Sequence, residues 1–367
     1  MLNPGRGDPG WPSRHSAGKL THPFGVVRRY PSVVKRPFLE RQLILGTVNK
    51  NMQLKQALTL AIERLEAADV GSSRMNAETL LMFVLGCNRA YLYTYPEREL
   101  TDDEATRYEK VVALRAADMP SQYITGHQEF WGLDLVVSPA VLIPRPETEH
   151  LVETVLELAR EVPNPKIVDV GTGSGCVALA LANELKGAEV YGVDLSPAAL
   201  EIAQANAARL QLGSRVRFLR GNVLQVAAVT GSAPWARALG SDDDSPEGFC
   251  RFRDFDFVVS NPPYVGLNEA DKVQRSVFKF EPRMAVFAGE NGLDVIQPLV
   301  TEAHDALRAG GWLAVEIGFS LRDAVLDLLS PTMWEAVQVV PDLQGIPRVI
   351  ATRKNTIPRS DTRALQS

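Results

Sequence analysis

Apolar residues recur at spacings of three and four from residue 52 to about residue 118, with Leu54, Leu58, Ile62 and Leu65 on one stripe. That is the period of an amphipathic helix. In "SSRMNAETLLMFVLGC" a serine stands where it would cap a second apolar helix that ends at Gly86, and a third helix covers about residues 102–117. The pattern then switches to strict alternation in "EFWGLDLVV" (129–137), which predicts a β-hairpin turning at Gly132. "AVLIPRPETEHLVETVLELA" predicts a strand, a proline-punctuated turn and a helix.

Beyond that point strand and helix patterns alternate. "KIVDVGTGSG" leads into a helix ending near Leu185, and "EVYGVDLSPAALEIAQANAARL" is a second strand–helix unit. "RVRFLRGNV", "FDFVVSNPPY" and "GGWLAVEIG" supply three more strands, and "AVQVVPDLQGIPRVIATR" two final ones joined by a turn. Such alternation predicts an α/β fold, a doubly wound and mainly parallel sheet that binds ligands at the carboxyl ends of its strands.

The chain divides accordingly into a helical domain (52–120), a hairpin linker (121–146) and an α/β domain (147–354). Residues 227–254 lack period and carry three successive aspartates (242–244), so they are expected to form a flexible acidic insertion. Residues 355–367 are expected to be a disordered tail. Residues 1–51 hold nine Lys and Arg against only Asp8 and Glu40. Such composition fits an organelle transit peptide, which would direct the chain to the mitochondrial matrix, a disordered tail or an over-called start, and because Met52 opens an amphipathic helix a disordered or artefactual extension is expected.

Composition narrows the function classes. The net charge of −5 gives no overall attraction to nucleic acid. Cys87, Cys176 and Cys250 form no C-x-x-C pair, so neither a disulfide framework nor a zinc site is indicated and a reducing compartment, the cytoplasm, is expected. No apolar run reaches the roughly 18 residues of a membrane span.

Candidate chemistry clusters where strands end. Gly171, Thr172, Gly173, Ser174 and Gly175 follow an apolar strand and open a helix, the context in which glycines let a backbone approach a ligand closely. Asp194 ends the next strand, 19 positions after Gly175, near the spacing at which an acid meets ribose hydroxyls. Ser196-Pro197 can cap the helix that follows, leaving that carboxylate free. The pair fits a dinucleotide or S-adenosylmethionine. The turn lacks the G-x-G-x-x-G register that seats a pyrophosphate on a helix amino end, which favours the phosphate-free methyl donor. Asn222 and Val223 end the third strand, where an amide and an apolar side chain would meet adenine, or where an asparagine merely turns the chain.

Asn261, Pro262, Pro263 and Tyr264 end the fourth strand. Two prolines stop a ladder and stiffen the backbone. A planar carboxamide is a poor nucleophile because its nitrogen lone pair is shared with the carbonyl. The Asn261 side-chain oxygen and the Pro262 carbonyl are two acceptors on one rigid turn, able to orient a planar NH2, with Tyr264 as a wall.

With these residues together, the chain resembles the release-factor glutamine methyltransferases over about residues 52–354, through "QYITGHQEFWG", "VLIPRPETE", "VGTGSGC", "NPPYV", "GLDVI" and "GGWLAVEIG". Adenine-N6 nucleic-acid methyltransferases and ribosomal-protein glutamine methyltransferases are similar at "NPPY", and "IPRPETE" (143–149) favours the release-factor branch. The resemblance implies a Rossmann-like, seven-stranded class I methyltransferase domain preceded by a small helical domain and a β-hairpin linker. It implies transfer of a methyl group from S-adenosyl-L-methionine, leaving S-adenosyl-L-homocysteine, to N5 of the glutamine in the Gly-Gly-Gln tripeptide of peptide chain release factors. No metal, nucleic acid or membrane takes part, and a monomer is expected. Phe130, Pro144, Arg145 and Glu147 match the hairpin and turn that close over the site, and the helical domain would grip the release factor. Asn222-Val223 departs from the acid-plus-aromatic pair commoner in the family.

Overall fold

The computed structural model describes residues 52–227 and 249–356. The expectations for residues 1–51, for most of the 227–254 insertion and for nearly all of the 355–367 tail lie outside the described residues.

Five helices come first: α1 (Leu54–Ala67), α2 (Ser73–Leu85), α3 (Arg89–Thr94), α4 (Asp102–Ala116) and α5 (Ser121–Thr125). Leu54, Leu65, Leu80 and Leu81 are fully buried in the core that α1, α2 and α4 share. The start of α4 is written in its residues. Glu104 N–H donates to the Thr101 hydroxyl at 3.3 Å, Thr101 N–H donates to the Glu104 carboxylate at 2.9 Å, and three acids occupy the first turn. This is a capping box with its charge at the favourable end of the dipole. Helix α2 does not use its expected serine cap. Ser72 stands at φ 53 and makes no side-chain cap bond, because capping requires extended backbone at that position. Gly86 ends the helix in the left-handed conformation as expected.

The hairpin is β1 (His127–Phe130) paired with β2 (Leu133–Val136). Its two-residue turn places Trp131 at φ 52 and Gly132 at φ 69, the twist that a tight hairpin prefers. Trp131 tolerates this because its N–H donates to the Glu149 carboxylate at 2.8 Å. The strand expected near residue 141 is absent. Val141 and Ile143 are buried in a turn, since Pro139, Pro144 and Pro146 offer no donors to a ladder.

A short 3₁₀ turn (Pro146–Thr148) leads into α6 (Glu149–Leu158). There follow β3 (Lys166–Val170), α7 (Cys176–Glu184), β4 (Glu189–Asp194), α8 (Pro197–Arg209), β5 (Val216–Asn222), β6 (Gln225–Ala227), β7 (Phe249–Arg251) and β8 (Phe255–Ser260). Two short helices, α9 (Arg275–Phe280) and α10 (Arg283–Val286), precede α11 (Ile296–Ala306), β9 (Leu307–Glu316), α12 (Arg322–Asp327), β10 (Trp334–Pro341) and β11 (Pro347–Lys354). The sheet runs β10-β11-β9-β8-β3-β4-β5-β6-β7. The five central strands β9, β8, β3, β4 and β5 are parallel, and the outer ones antiparallel. Seven strands, from β10 to β5, make a doubly wound sheet of the kind expected, and β6 and β7 extend it by two strands at one edge.

That extension revises the reading of the insertion. Its margins are strands, with β6 pairing antiparallel to both β5 and β7, and Val226 and Phe252 are buried beside them. Segments of three residues are too short to reveal a period.

The central strands are apolar on both faces. Val168, Val170 and Val258 face α11 in one core, while Ile167, Phe257 and Val259 face α6 and α7 in the other, as expected of a parallel sheet covered on both sides. Asn206 of α8 joins these layers to the hairpin. It is fully buried, accepts from Val136 N–H at 2.7 Å, and donates to the carbonyls of Val136 at 3.0 Å and Ser174 at 2.9 Å. Among the described residues no helix is long and apolar enough to cross a membrane. Asn206→Leu removes the partner of three backbone groups, the buried Ser174 carbonyl and the half-buried N–H and carbonyl of Val136, and urea denaturation should show a loss of about 3 kcal/mol with an unchanged m-value.

Candidate active site

The strand order reverses at β3, whose neighbours are β4 on one side and β8 on the other, so loops leaving these strands diverge and open a crevice. The crevice is an open one, spanning about 1110 Å3 when the solvent space at its mouth is included. The glycine turn forms its floor. Gly171 and Thr172 N–H both donate to the Val193 carbonyl, at 2.8 and 2.9 Å, which folds the turn against β4. Gly171 stands at φ 74, and a Cβ there would lie 3.9 Å from the Asn261 carbonyl, so the glycine turn and the NPPY turn meet. Gly175 is not part of the cleft wall. It caps α7 at φ 82, and a Cβ would press on Ala203 and Phe218 at 3.2 Å.

Two acids hold this floor. Asp169 is buried and accepts from the Thr172 hydroxyl at 2.6 Å and Ala178 N–H at 3.2 Å. Burial pushes its carboxyl up to about 7 against the pull of these donors. Asp194 is not left free as the capping argument anticipated. Ser196 does cap α8, its hydroxyl accepting from Ala199 N–H at 3.3 Å. The Asp194 carboxylate nevertheless accepts from Gly173 N–H at 2.9 Å and Ser196 N–H at 2.8 Å. A carboxylate has lone pairs for further donors, so Asp194 clamps the glycine turn and still faces the cleft. Burial raises its pKa, with the Ser196, Gly173 and Leu195 amides opposing.

Asn222 and Val223 also line the cleft. Val223 opens the β5–β6 turn at φ 52, a conformation that strains a β-branched residue. Glu302 of α11 holds this turn, accepting from Leu224 N–H at 3.0 Å and from the Gln225 side chain at 2.9 Å.

The far wall is the NPPY turn. The Ser260 hydroxyl donates to the Val170 carbonyl at 2.7 Å, fastening the end of β8 to β3. Beyond the prolines the chain pairs with the segment after α10, Val265 N–H donating to Val286 and Ala288 N–H to Val265, both at 3.0 Å. Asn261, Pro262 and Pro263 line the cleft. The Asn261 amide NH2 donates to the Thr148 hydroxyl at 2.9 Å, and no donor from the described residues reaches Asn261 Oδ1 or the Pro262 carbonyl. Tyr264 lies behind this wall rather than in it. Its hydroxyl donates to Glu316 at 3.2 Å, and burial raises its pKa.

Of the residues expected to close the site, Pro144 lines it. Phe130 belongs to the core under the hairpin. Arg145 pairs with the buried Glu281 at 2.5 Å, which also accepts from Ile143 N–H at 3.3 Å. This ties the 140–148 turn to the α9–α10 junction, whose Pro282, Met284 and Ala285 form the opposite lip. Glu147 stays outside the wall, and its charge reaches Glu316.

The donor set suits a sulfonium better than a phosphate. Asp169 and Asp194 line the cleft, and no Lys, Arg or His does. A pyrophosphate would meet two acids without a cation, whereas a positively charged sulfur would be offset.

Two family models match the chain: "PrmC N-terminal domain" over residues 56–126 and "Methyltransferase domain" over residues 167–238. The chain is 52% identical to the release factor glutamine methyltransferase of Koribacter versatilis over 305 residues, covering 83% of this chain and 100% of that one. It is 41% identical to that of Moorella thermoacetica, covering 80% and 96%. The chain belongs to the release factor glutamine methyltransferase family. A solved release-factor-specific protein-(glutamine-N5) methyltransferase from Alicyclobacillus acidocaldarius is similar at 27% identity over 60% of this chain and 98% of its own, with a TM-score of 0.33; the assignment rests on the sequence relatives. A methyltransferase domain implies S-adenosylmethionine as methyl source.

Set against the family motifs, Thr148, Asp169, Glu281, Glu302 and Glu316 are neighbours of the candidate site residues that sequence reasoning missed. A weak signal existed for two of them. Asp169 and Glu316 are single acids in otherwise apolar strands, "KIVDV" and "WLAVE", a pattern that asks for buried partners.

Two outcomes follow. Asp169 has a folded pKa of about 7 against an unfolded value of about 3.9, so its contribution is full below pH 4 and is lost as pH rises through 7. Asp169→Asn keeps an acceptor for Thr172 and Ala178, and denaturation at pH 5 and pH 8 should show it gaining about 2 kcal/mol on the wild type at the higher pH. Glu302→Ala frees the strained β5–β6 turn, and calorimetry should show methyl-donor affinity falling about tenfold, the worth of one hydrogen bond to a charged group.

Proposed function

We infer that this chain transfers a methyl group from S-adenosylmethionine to the side-chain nitrogen of the glutamine in the Gly-Gly-Gln tripeptide of a peptide chain release factor. The observation that carries the site assignment is the pair of unengaged acceptors, Asn261 Oδ1 and the Pro262 carbonyl, on a stiff turn at the edge of an acid-lined cleft. S-adenosylmethionine supplies an electrophilic methyl on a sulfonium, and Gly171–Ser174, Asp194, Asn222 and Val223 are the residues that would hold it. The two acceptors take both N–H bonds of the substrate carboxamide. Held this way, the nitrogen would be presented to the methyl with its lone pair localised.

Bound there, the methyl donor would give up its methyl as the nitrogen–carbon bond formed and the carbon–sulfur bond broke, leaving S-adenosylhomocysteine. The nitrogen then sheds one proton to water, so no general base is required. Positioning supplies much of the acceleration, and orientation of this kind is worth on the order of 7–11 kcal/mol. The helical domain is assigned to holding the protein substrate. In support, Leu60, Met75, Phe83, Tyr93 and Tyr95 are large side chains left about half exposed there. The reading places the reaction in the cytoplasm, where translation terminates.

The purified protein incubated with labelled methyl donor should label a release factor and leave its tripeptide Gln→Ala variant unlabelled. Label that persists on the variant rejects the reading. Asn261→Ala should lower kcat about 100-fold or more while methyl-donor affinity stays within twofold by calorimetry. A large loss of cofactor binding instead would place Asn261 on the wrong ligand.

A further inference from the structure

Three chain segments surround the mouth of the cleft, and each is fastened to the other two. The 140–148 turn contributes Pro144 and Thr148, the α9–α10 segment Met284 and Ala285, and the NPPY turn Asn261 and Pro262. The NPPY turn meets the 140–148 turn through the Asn261 amide, which donates to the Thr148 hydroxyl at 2.9 Å. It meets the α9–α10 segment through two backbone bonds of 3.0 Å, from Val265 N–H to Val286 and from Ala288 N–H to Val265. The third joint is Glu281. One of its carboxylate oxygens accepts from the Arg145 guanidinium at 2.5 Å and the other from Ile143 N–H at 3.3 Å. Segments joined at three corners form a closed triangle, and opening one corner turns the other two into hinges.

The Glu281 corner matters most to the α9–α10 segment. Helix α9 has six residues and none of them is buried. A helix so short is not stable by itself, and packing does not place it. Its other ties run to Asp118 at the end of the helical domain, from Arg275 at 3.2 Å and from Lys279. Those two cations are 72% and 45% exposed, and exposed pairs contribute little. The Glu281 side chain is 1% exposed with both oxygens engaged. Its bonds are therefore shielded from water and fixed in direction. The turn it grips is steadied from behind by Tyr123, whose hydroxyl donates to the Val141 carbonyl at 2.6 Å.

The floor of the cleft has a different support. The glycine turn and Asp194 take their bonds from β4 and the start of α8. Opening the Glu281 corner thus shifts the acceptor wall while the floor stays in place.

We propose that Glu281, gripped by Arg145 and Ile143, is a positioning residue that closes this triangle and holds the Asn261 and Pro262 acceptors at their working distance from the methyl donor. The inference rests on the reading of those acceptors as the seat of the glutamine amide. Loss of Glu281 therefore appears in kcat and spares methyl-donor affinity. A pair that served stability alone would behave otherwise. Removing one partner leaves an uncompensated charge, and removing both relieves it.

The test measures kcat, methyl-donor affinity by calorimetry and the urea midpoint, with labelled methyl donor and whole release factor as substrates. The variants are Arg145→Met, Glu281→Gln, the two combined, and Asn261→Ala. A displacement of about 1 Å can cost about 100-fold, so each single change at Arg145 or Glu281 should lower kcat between about tenfold and 100-fold and keep methyl-donor affinity within about threefold. Arg145→Met leaves the Glu281 charge without its cation and should lower the midpoint. The combined variant leaves neither charge, so its midpoint should return toward wild type while kcat stays at least about tenfold down. Asn261→Ala already opens another corner, and in that background Glu281→Gln should cost no more than about a further threefold. Recovery of kcat together with the midpoint in the combined variant overturns the proposal, as does the full loss in the Asn261→Ala background. A loss confined to methyl-donor affinity overturns it as well. If a single change prevents folding, the combined variant decides. Wild-type kcat in Asn261→Ala alone sinks the underlying reading of the site, an outcome distinct from failure of the triangle.

Discussion

Val170 and Ser260 leave the sheet side by side, joined through the Ser260 hydroxyl and the Val170 carbonyl. Every feature of the cleft depends on that pairing. It sets the glycine turn after β3 next to the NPPY turn after β8, and the reversal of strand order at β3 makes the loops part there instead of packing together. A slip of one residue between β3 and β8 would turn the side chains of one strand to the opposite layer. Val168 and Val258 belong to one core and Ile167 and Phe257 to the other, so the apolar packing on both faces opposes any slip.

The loops around the cleft are held differently from the strands beneath them. Chain segments that leave a sheet lose their ladder partners, and buried carboxylates take the place of those partners. Asp169 and Asp194 gather the glycine turn, Glu281 gathers the 140–148 turn, and Glu316 holds Tyr264. Each has desolvated charge as its cost, and hydrogen bonds from the loop it holds as compensation. These bonds are shielded from water and salt, unlike the exposed pairs Lys55–Glu97 or Arg107–Asp103, which contribute little. The arrangement therefore trades some stability at neutral pH for loops of defined shape, and that shape is what the proposed positioning mechanism requires.

The helical stripe of Leu54 and Leu65, the stop of α2 at Gly86, the hairpin, the alternation of strands and helices, and the glycine turn were all legible in the chain. Each is a local signal, written within a few residues as a period, a cap or a pair of prolines. The short strands β6 and β7 were not legible, because three residues carry no period; they pair with each other, and Val226 within β6 and Phe252 just after β7 are buried. Nor was the turn at Val141, which reads as strand until the prolines around it are counted.

At the site the division is similar. Motif and spacing by themselves determined that a glycine turn, an acid at Asp194 and a stiff amide-bearing turn stand at strand ends, because those chemistries need particular residue types in sequence. Only the tertiary structure decided which side chains face the cleft and which stand behind it. Phe130, Arg145 and Tyr264 share motifs with cleft residues yet point into core, ion pair or buried carboxylate. Thr148 sits one position after Glu147 in the same motif, and it is Thr148 that touches Asn261, 113 positions away. Contact across such a separation is set by how sheet, turn and helix pack in three dimensions, and no local pattern of hydrophobic and polar residues records it.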